Sequence, residues 1–462
     1  MSNESTKNGY ADEKNWLAPL LRETGVSAAD LTYDFNLIKG RATKSNMCVL
    51  CKGGKFLCGK TRCSVLAKAL TYKKIARSID KLELDGASPP GVFIGRMGYP
   101  RVYAGPLVPP THGDTSIMDI PELWGPCGFA KSIDDIIDFR LSLVRGKSRM
   151  TVDAAALDTG SRIMDVITEL ALARGPVETE MLLRKKPSRT VLLDDDIQPF
   201  GPSAPIDKVK VGNVYWDPQL EKAYGDHDLK AAEAVSSLYD SGVLVSRIQK
   251  AFSVGAFGIK KNRKLVPTRW SITAVDSLIS KTLLEKVTLQ PPINEYRIYE
   301  SNYLDNRWII LMAPLSWSYE LVEAWYPGTT WNPDSSNIVI FSDHEMFEGR
   351  TTYPDIGGCY FASRLAIAER LLAERRQATV AVLRESHPGY VLPVGVWSVR
   401  ESVRNALRNP PMRYNNLRDA ISHISSKFAI PLSRWLKTSK LLQELLYQTR
   451  ITDFQQLRTS EG

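Results

Sequence analysis

Four of the six cysteines stand within sixteen residues, Cys48, Cys51, Cys58 and Cys63 in the string MCVLCKGGKFLCGKTRC. No other stretch restricts its local chain so severely, because four thiols this close point to disulfides or to a shared metal. The polar start MSNESTKNGYADEKNW lacks the apolar core of a secretory signal, so a reducing, cytoplasmic setting is expected. Disulfides are disfavoured there, and thiolate ligation of a metal is the better reading. The spacing is C-x2-C, six residues, then C-x4-C, with Gly53 and Gly54 free to adopt the positive φ angles of a metal knuckle. Lys52, Lys55, Lys60 and Arg62 would offset the charge of a four-thiolate Zn2+ centre. Four sulfur ligands leave no open position, so such a zinc is structural. Reduced cysteines packed as small hydrophobes, or an iron–sulfur cluster on the same ligands, are the alternatives.

With 43% hydrophobic and 24% charged residues, the remaining chain has a globular composition, which excludes a disordered or collagen-like protein. A formal charge of +9 fits a polyanionic partner without specifying one. No apolar run of about 18 residues appears, so no membrane-spanning helix is expected.

Helical periodicity is read over 132–145, 160–174, 229–254, 270–287 and the closing LSRWLKTSKLLQELLYQ. Pro, Gly and β-formers over 88–128, YRIYESNYLDNRWIILMAP and NIVIFSDHE read as strands. GGCYFASRLAIAERLLAERRQATVAVLRE reads as a long helix feeding a strand. The stretch 176–205, with basic RKKPSR and acidic DDD, reads as a linker or a crossing loop. Helices and strands do not alternate regularly, so the expected class is α+β: helices and sheet in two packed lobes, a small N-terminal zinc knuckle and a flexible tail. Boundaries are expected at 1–85, 86–300, 301–440 and 441–462.

Two basic patches are candidates for phosphate binding. Lys260, Lys261, Arg263, Lys264 and Arg269 fall within ten residues, Gly255 and Gly258 free the backbone, and Trp270 offers a stacking face. Clustered cations beside an aromatic suit a phosphate backbone and an unstacked base. In VWSVRESVRNAL, a helix puts Arg400 and Arg404 on one face, where they repel unless an anion or carboxylate lies between them. Glu401 is one residue on from Arg400 and is expected to point elsewhere, which leaves an external anion as a candidate.

For catalysis the sequence offers less. His112 with Asp114, and Asp343, His344, Glu345 and Glu348, are residue types that suit Mg2+ or Mn2+, although such runs are common in exposed turns. No HExxH, P-loop, GxGxxG or GxSxG is present. No catalytic residue is assigned, and whether the chain is an enzyme stays open.

The tail carries Gln448-x-x-Ile451-x-x-Phe454, which resembles the PIP box that binds the sliding clamp PCNA. A single 3₁₀-like turn brings positions three apart to one side. Ile451 and Phe454 would plug an apolar pocket while the Gln448 amide bonds at its rim. Gln455 stands where a second aromatic is usual, which weakens the contact. A second copy, Gln290, Ile293 and Tyr296, lies within the body of the chain.

The strings KKNRKLVPTRWSITAVD, GCYFASRLAIAERL, RQATVAVLRE, PVGVWSVRESVRNAL, SPPGVFIGRMGYPRVYAGPLVPP and GDTSIMDIPELWG resemble the archaeal Nre family of DNA repair proteins, from about residue 35 to the tail. The resemblance implies N-terminal-type and C-terminal-type family domains over 86–300 and 301–440. It implies repair of damaged DNA in an archaeal cell and recruitment by PCNA through Gln448, Ile451 and Phe454. Nucleotide excision repair proteins enter as candidate partners on the same ground. Some members of the family carry an N-terminal cysteine cluster and others lack it; this chain carries it. Two other classes remain: a metal- or nucleotide-dependent enzyme (nuclease or glycosylase-like) acting on DNA or nucleotide adducts, and an RNA-binding or RNA-modifying protein. Metal analysis of the purified chain is expected to find about one zinc, lost in Cys51→Ser; a coloured iron chromophore would overturn the zinc assignment.

Overall fold

The structure is a computed structural model that describes residues 63, 71, 74–157, 160–187, 201–332 and 336–447. Cys48, Cys51, Cys58, the short piece NWLAPLLRE, and Gln448, Ile451 and Phe454 lie outside the described residues. Within them the class is α+β, with two six-stranded sheets.

The first sheet is built from β1 (Glu83–Ser88), β2 (Val92–Ile94), β3 (Arg101–Val108), β4 (Val144–Thr151), β5 (Val177–Leu183) and β6 (Ser203–Val211), in the order β1-β5-β6-β4-β3-β2. It curls so that β1 returns toward β3: Ser88 Oγ donates to the Leu107 carbonyl at 2.6 Å, and Ala87 N donates to the Thr111 carbonyl at 2.8 Å. Helix α1 (Ile133–Ser142) begins at a capping box, in which Ser132 and Asp135 bond to each other's backbone. Helix α2 (Arg162–Leu172) buries Val166, Ile167 and Leu170 in the same core as Val102 and Ala104 of β3. Within the stretch read as a linker or crossing loop, β5 and the start of β6 are strand, and 188–200 lie outside the described residues. The alternation V-E-T-E-M of β5 is the period of a half-buried strand, buried at Val177, Thr179 and Met181 and exposed at Glu178 and Glu180.

A helical layer comes next: α3 (Pro218–Gly225), α4 (Ala231–Asp240), α5 (Val245–Ser253) and α6 (Thr268–Val287). The single helix expected over 229–254 is two, because Gly242 takes a φ of +81° and turns the chain between α4 and α5. Helix α6 is enclosed through its middle, with Ser277 and Ser280 fully buried.

The second sheet contains β7 (Tyr296–Tyr303), β8 (Asn306–Ala313), β9 (Ser318–Trp325), β10 (Val339–Glu345), β11 (Thr379–Ser386) and β12 (Met412–Tyr414), in the order β10-β9-β11-β8-β7-β12. Leu304 and Asp305, with φ of 50° and 55°, close the β7–β8 hairpin as a two-residue turn of the primed type. The expected boundary at 300/301 falls inside β7. Helix α7 (Gly358–Glu374) feeds β11 as read from the sequence, and α8 (Trp397–Arg408) packs beside α7. The far side is covered by α9 (Leu417–Lys427), α10 (Leu432–Thr438) and α11 (Lys440–Tyr447).

This sheet is apolar on both faces, and period-two alternation divides it between two cores. Trp308, Ile310 and Met312 of β8 face the layer of α6 and α7, while Ile309 and Leu311 join Ile424 and Trp435 on the other side. The helix read at the end of the chain breaks at Ser439, because Glu320 of β9 reaches up to cap the start of α11. Its carboxylate accepts from Ser439 Oγ at 2.5 Å, Lys440 N at 2.8 Å and Leu441 N at 2.9 Å. Those donors are the orphan groups of a helix start, and a buried carboxylate is well placed to satisfy them. Glu320→Ala is expected to cost about 1–3 kcal/mol and to speed amide exchange over residues 441–446, read by mass spectrometry. Unchanged exchange there would show that α11 does not depend on this cap.

Candidate functional site

The basic turn after α5 is only partly a surface. Gly258, at φ +101°, leads into a 3₁₀ turn at Lys260–Asn262 that leaves Lys260 and Lys261 exposed. Arg263, expected to meet phosphate, is instead buried. Its Nε donates to the Gly258 carbonyl at 2.8 Å, an Nη donates to the Asp226 carbonyl at 2.9 Å, and the guanidinium lies over the Tyr224 ring. Lys264 pairs with Asp153 at 2.8 Å, Arg269 is exposed, and Trp270 packs half-buried against Tyr99. The guanidinium of Arg263 thus ties the loop to the segment at Asp226, with donors spent on backbone carbonyls of both.

Arg400 and Arg404 face the protein's own carboxylates rather than an external anion. Arg400, 1% exposed, donates through Nη1 to both Asp276 oxygens at 2.9 and 3.0 Å, and its Nη2 lies 3.7 Å from Glu122. Arg404 forks onto Glu369 at 2.8 and 2.5 Å. Glu401 does not point away: its Oε1 accepts from Arg404 at 2.8 Å and lies 3.4 Å from Arg400 Nε. Tyr239 donates to Glu369 at 2.7 Å, and Gln249 donates to Asp276 at 2.9 Å. The partners come from α4, α5, α6, α7 and the 3₁₀ turn Pro121–Leu123, so no local spacing rule reveals them.

Four carboxylates, Glu122, Asp276, Glu369 and Glu401, therefore surround two guanidiniums. Burial pushes the Asp276 carboxyl up to about 6 even though Arg400 and Arg404 pull it down. For Glu122, burial works upward, but Arg400 and the bonds from Ser246 outweigh it, and its carboxyl is held below the ordinary value. Glu122, Tyr239, Glu369 and Arg404 form the polar wall of an open cleft of about 520 Å³, whose apolar side includes Leu244, Leu283 and Leu372. No residue of the loop 258–270 lines this cleft, so the two basic patches do not meet in it.

The acidic motifs rearrange in the same way. Asp343 and Glu345 leave β10 on one face and His344 on the other, as strand geometry requires. Asp343 binds Arg350 at 2.9 Å, and Glu345 is buried against Arg364 at 2.6 Å, so this run does not converge on a metal. His112 is bracketed by Glu178 at 2.7 Å and Asp85 at 3.9 Å rather than by Asp114. The bond to Glu178 raises the pKa of this exposed imidazole. Of the four cysteines, Cys63 alone is described, and it is half-buried.

Two family models cover most of the chain: archaeal Nre, N-terminal, over residues 57–332, and archaeal Nre, C-terminal, over residues 345–454. The chain belongs to the archaeal Nre family. It is 40% identical over 397 residues to the DNA repair protein NreB of Archaeoglobus fulgidus, covering 86% of this chain and 97% of that one. It is 38% identical to DNA repair protein NreA of the same organism, over 82% of this chain and 93% of that one. To NreA of Haloferax volcanii it is 34% identical, over 80% and 89%. No solved structure matches the chain. The family boundary falls at 332–345, inside the second sheet: strands β7 to β9 precede it, β10 lies within it, and β11 and β12 come after.

Replacing Arg400 by Met strands Asp276, Glu401 and Glu122 without their shared cation, with an expected loss of about 3–5 kcal/mol. The deficit should be largest at pH 7–8 and shrink as pH falls through 6, because a protonated Asp276 no longer needs the guanidinium. Melting curves of Arg400→Met and the parent across that range check both the size and the sign.

Proposed function

We propose that this protein is a DNA repair factor that works on DNA under the tether of the sliding clamp PCNA. The observation that carries the repair role is identity of 40% along 97% of a relative named DNA repair protein NreB, with two further relatives bearing the same repair designation. The formal charge of +9 supports attraction to a phosphate backbone.

The tether is Gln448, Ile451 and Phe454, which come directly after α11. Two facts favour this copy over the internal one. Ile293 is 3% exposed and its N–H donates to the Gln377 carbonyl, so its side chain is committed to the core. The terminal copy begins one residue beyond a helix whose start is pinned by Glu320. A short peptide on a firmly rooted stem raises the effective concentration of the body at its template without new contacts. In this reading the Cys48, Cys51, Cys58 and Cys63 cluster holds structural zinc, and excision repair proteins are partners for the body.

A second reading, an enzyme acting on DNA or a nucleotide adduct, draws on the acid-lined cleft, where Glu122 Oε2 is buried without a hydrogen-bond partner. Deleting residues 448–462 is expected to abolish capture by immobilised PCNA, and Ile451→Ala with Phe454→Ala to weaken it at least tenfold. Retained capture by the truncated chain would remove the tether from the proposal.

A further inference from the structure

Among the described residues, the first sheet has an outward face against which no helix packs near β3 and β4. Helix α2 lies on the inner side, with Val102, Ala104 and Val144 in its core. Register fixes what the outer side carries. Tyr103 pairs with Arg149 and Arg101 pairs with Thr151, while Lys147 pairs across the other edge with Pro205 of β6. Residues two apart on one strand share a face, so Lys147 and Arg149 stand together about 6.6 Å apart along β4, beside Tyr103. Arg101, Tyr103 and Arg149 are exposed, and Tyr103 keeps 44% of its surface in contact with solvent.

The cations here are not neutralised locally. Lys147, Arg149 and Arg101 make no ion pair with a carboxylate among the described residues. Lys185, from the basic run RKKPSR, and Lys208 add exposed charge at the β5–β6 edge, while neighbouring Asp207 is taken up by Arg184 at 3.7 Å. Burial, the larger cause, and then the repulsion of nearby Arg145 and Lys185 lower the pKa of Lys147, so cations crowd around it. Such crowding is unfavourable unless an external anion relieves it.

We propose that this open face, centred on Tyr103 and flanked by Arg101, Lys147 and Arg149, binds a single strand of DNA. A flat strand surface lets a polyanion run across neighbouring cations, and the tyrosine ring offers a stacking plane that only an unpaired base can reach. A duplex keeps its bases stacked inside and would use the cations alone. The inference rests on the DNA repair reading and names the strand and the surface it uses. It assigns the contact to a face that neither basic motif of the sequence indicated.

Fluorescence anisotropy of a labelled 20-mer of thymidine, with the full chain and no PCNA, tests it at several salt concentrations. Lys147→Glu with Arg149→Glu is expected to weaken binding at least tenfold and to flatten the dependence of log K on log salt by about 1.4, for two phosphates at about 0.7 each. Tyr103→Ala is expected to weaken binding about tenfold with the salt slope unchanged, since stacking releases no counterions. Tyr103 and Arg149 are exposed and Lys147 is half-buried, and melting curves confirm that both variants fold. Parent-like binding by both variants would overturn this surface while leaving a DNA-binding protein. Tighter binding of duplex, with Tyr103→Ala neutral, would overturn the single-strand assignment. Tighter binding of single-stranded RNA would overturn the choice of DNA. Failure of the parent to bind any DNA would instead sink the contact with DNA on which this proposal stands.

Discussion

Arg400 cannot leave the interior, so everything around it must supply negative charge. Its guanidinium lies between α6, α8 and the 3₁₀ turn at Glu122, with 1% of its surface exposed. Removing such an ion from water costs several kcal/mol even after relaxation, and only well-aimed carboxylates return it. Asp276, Glu122 and Glu401 do so, and Arg404 extends the set to Glu369 and Tyr239. The consequence is geometric. Elements separated by more than a hundred residues are held in one arrangement, since displacing any of them leaves a charge unpaired. The same solution recurs at Arg384 with Glu323 at 2.7 Å and at Arg364 with Glu345 at 2.6 Å.

The second sheet transmits that order to the end of the chain. Its two faces feed separate cores, so helices on either side are fixed by the same strands. Glu320 lies on the side of α9 to α11, and its carboxylate ends one helix and starts the next at Ser439. The last described turn of the protein is therefore rooted in the central sheet. On the first sheet the balance differs: its inner face is apolar and packed, while on its outer face Arg101, Lys147 and Arg149 make no ion pair among the described residues. The buried Arg364, Arg384 and Arg400 and the half-buried Arg404 meet carboxylates, whereas Lys147 and Arg149 on β4 make no such pair among the described residues.

Much of the fold was legible. Helix α7 feeding β11, helix α6, the β7–β8 pair and helix α8 are all given by periodicity. The misreadings have identifiable causes. Positive φ at Gly242, the single glycine of the run 229–254, cuts it into two helices, while apolar residues continue on both sides and keep the helical pattern. A Pro-rich, charged stretch hid β5 and β6, because a half-buried strand with glutamates outside resembles a loop by composition. Strand β9 is buried on both faces and has no alternation to read.

Site residues divided along the same line. The amino-acid sequence by itself determined the class, the family, the basic excess, the presence of four clustered cysteines and the terminal Gln-x-x-Ile-x-x-Phe pattern, because each depends on residue type and local spacing. Only the tertiary structure decided the use of each charge. Arg263, Arg400 and Arg404 turned inward, Arg400 to Asp276 at a separation of 124 residues, while Lys147 and Arg149 stand on the outer face beside Tyr103. The physical reason is that an ion's partner is chosen by packing and desolvation across the whole chain, and no spacing along it records that choice.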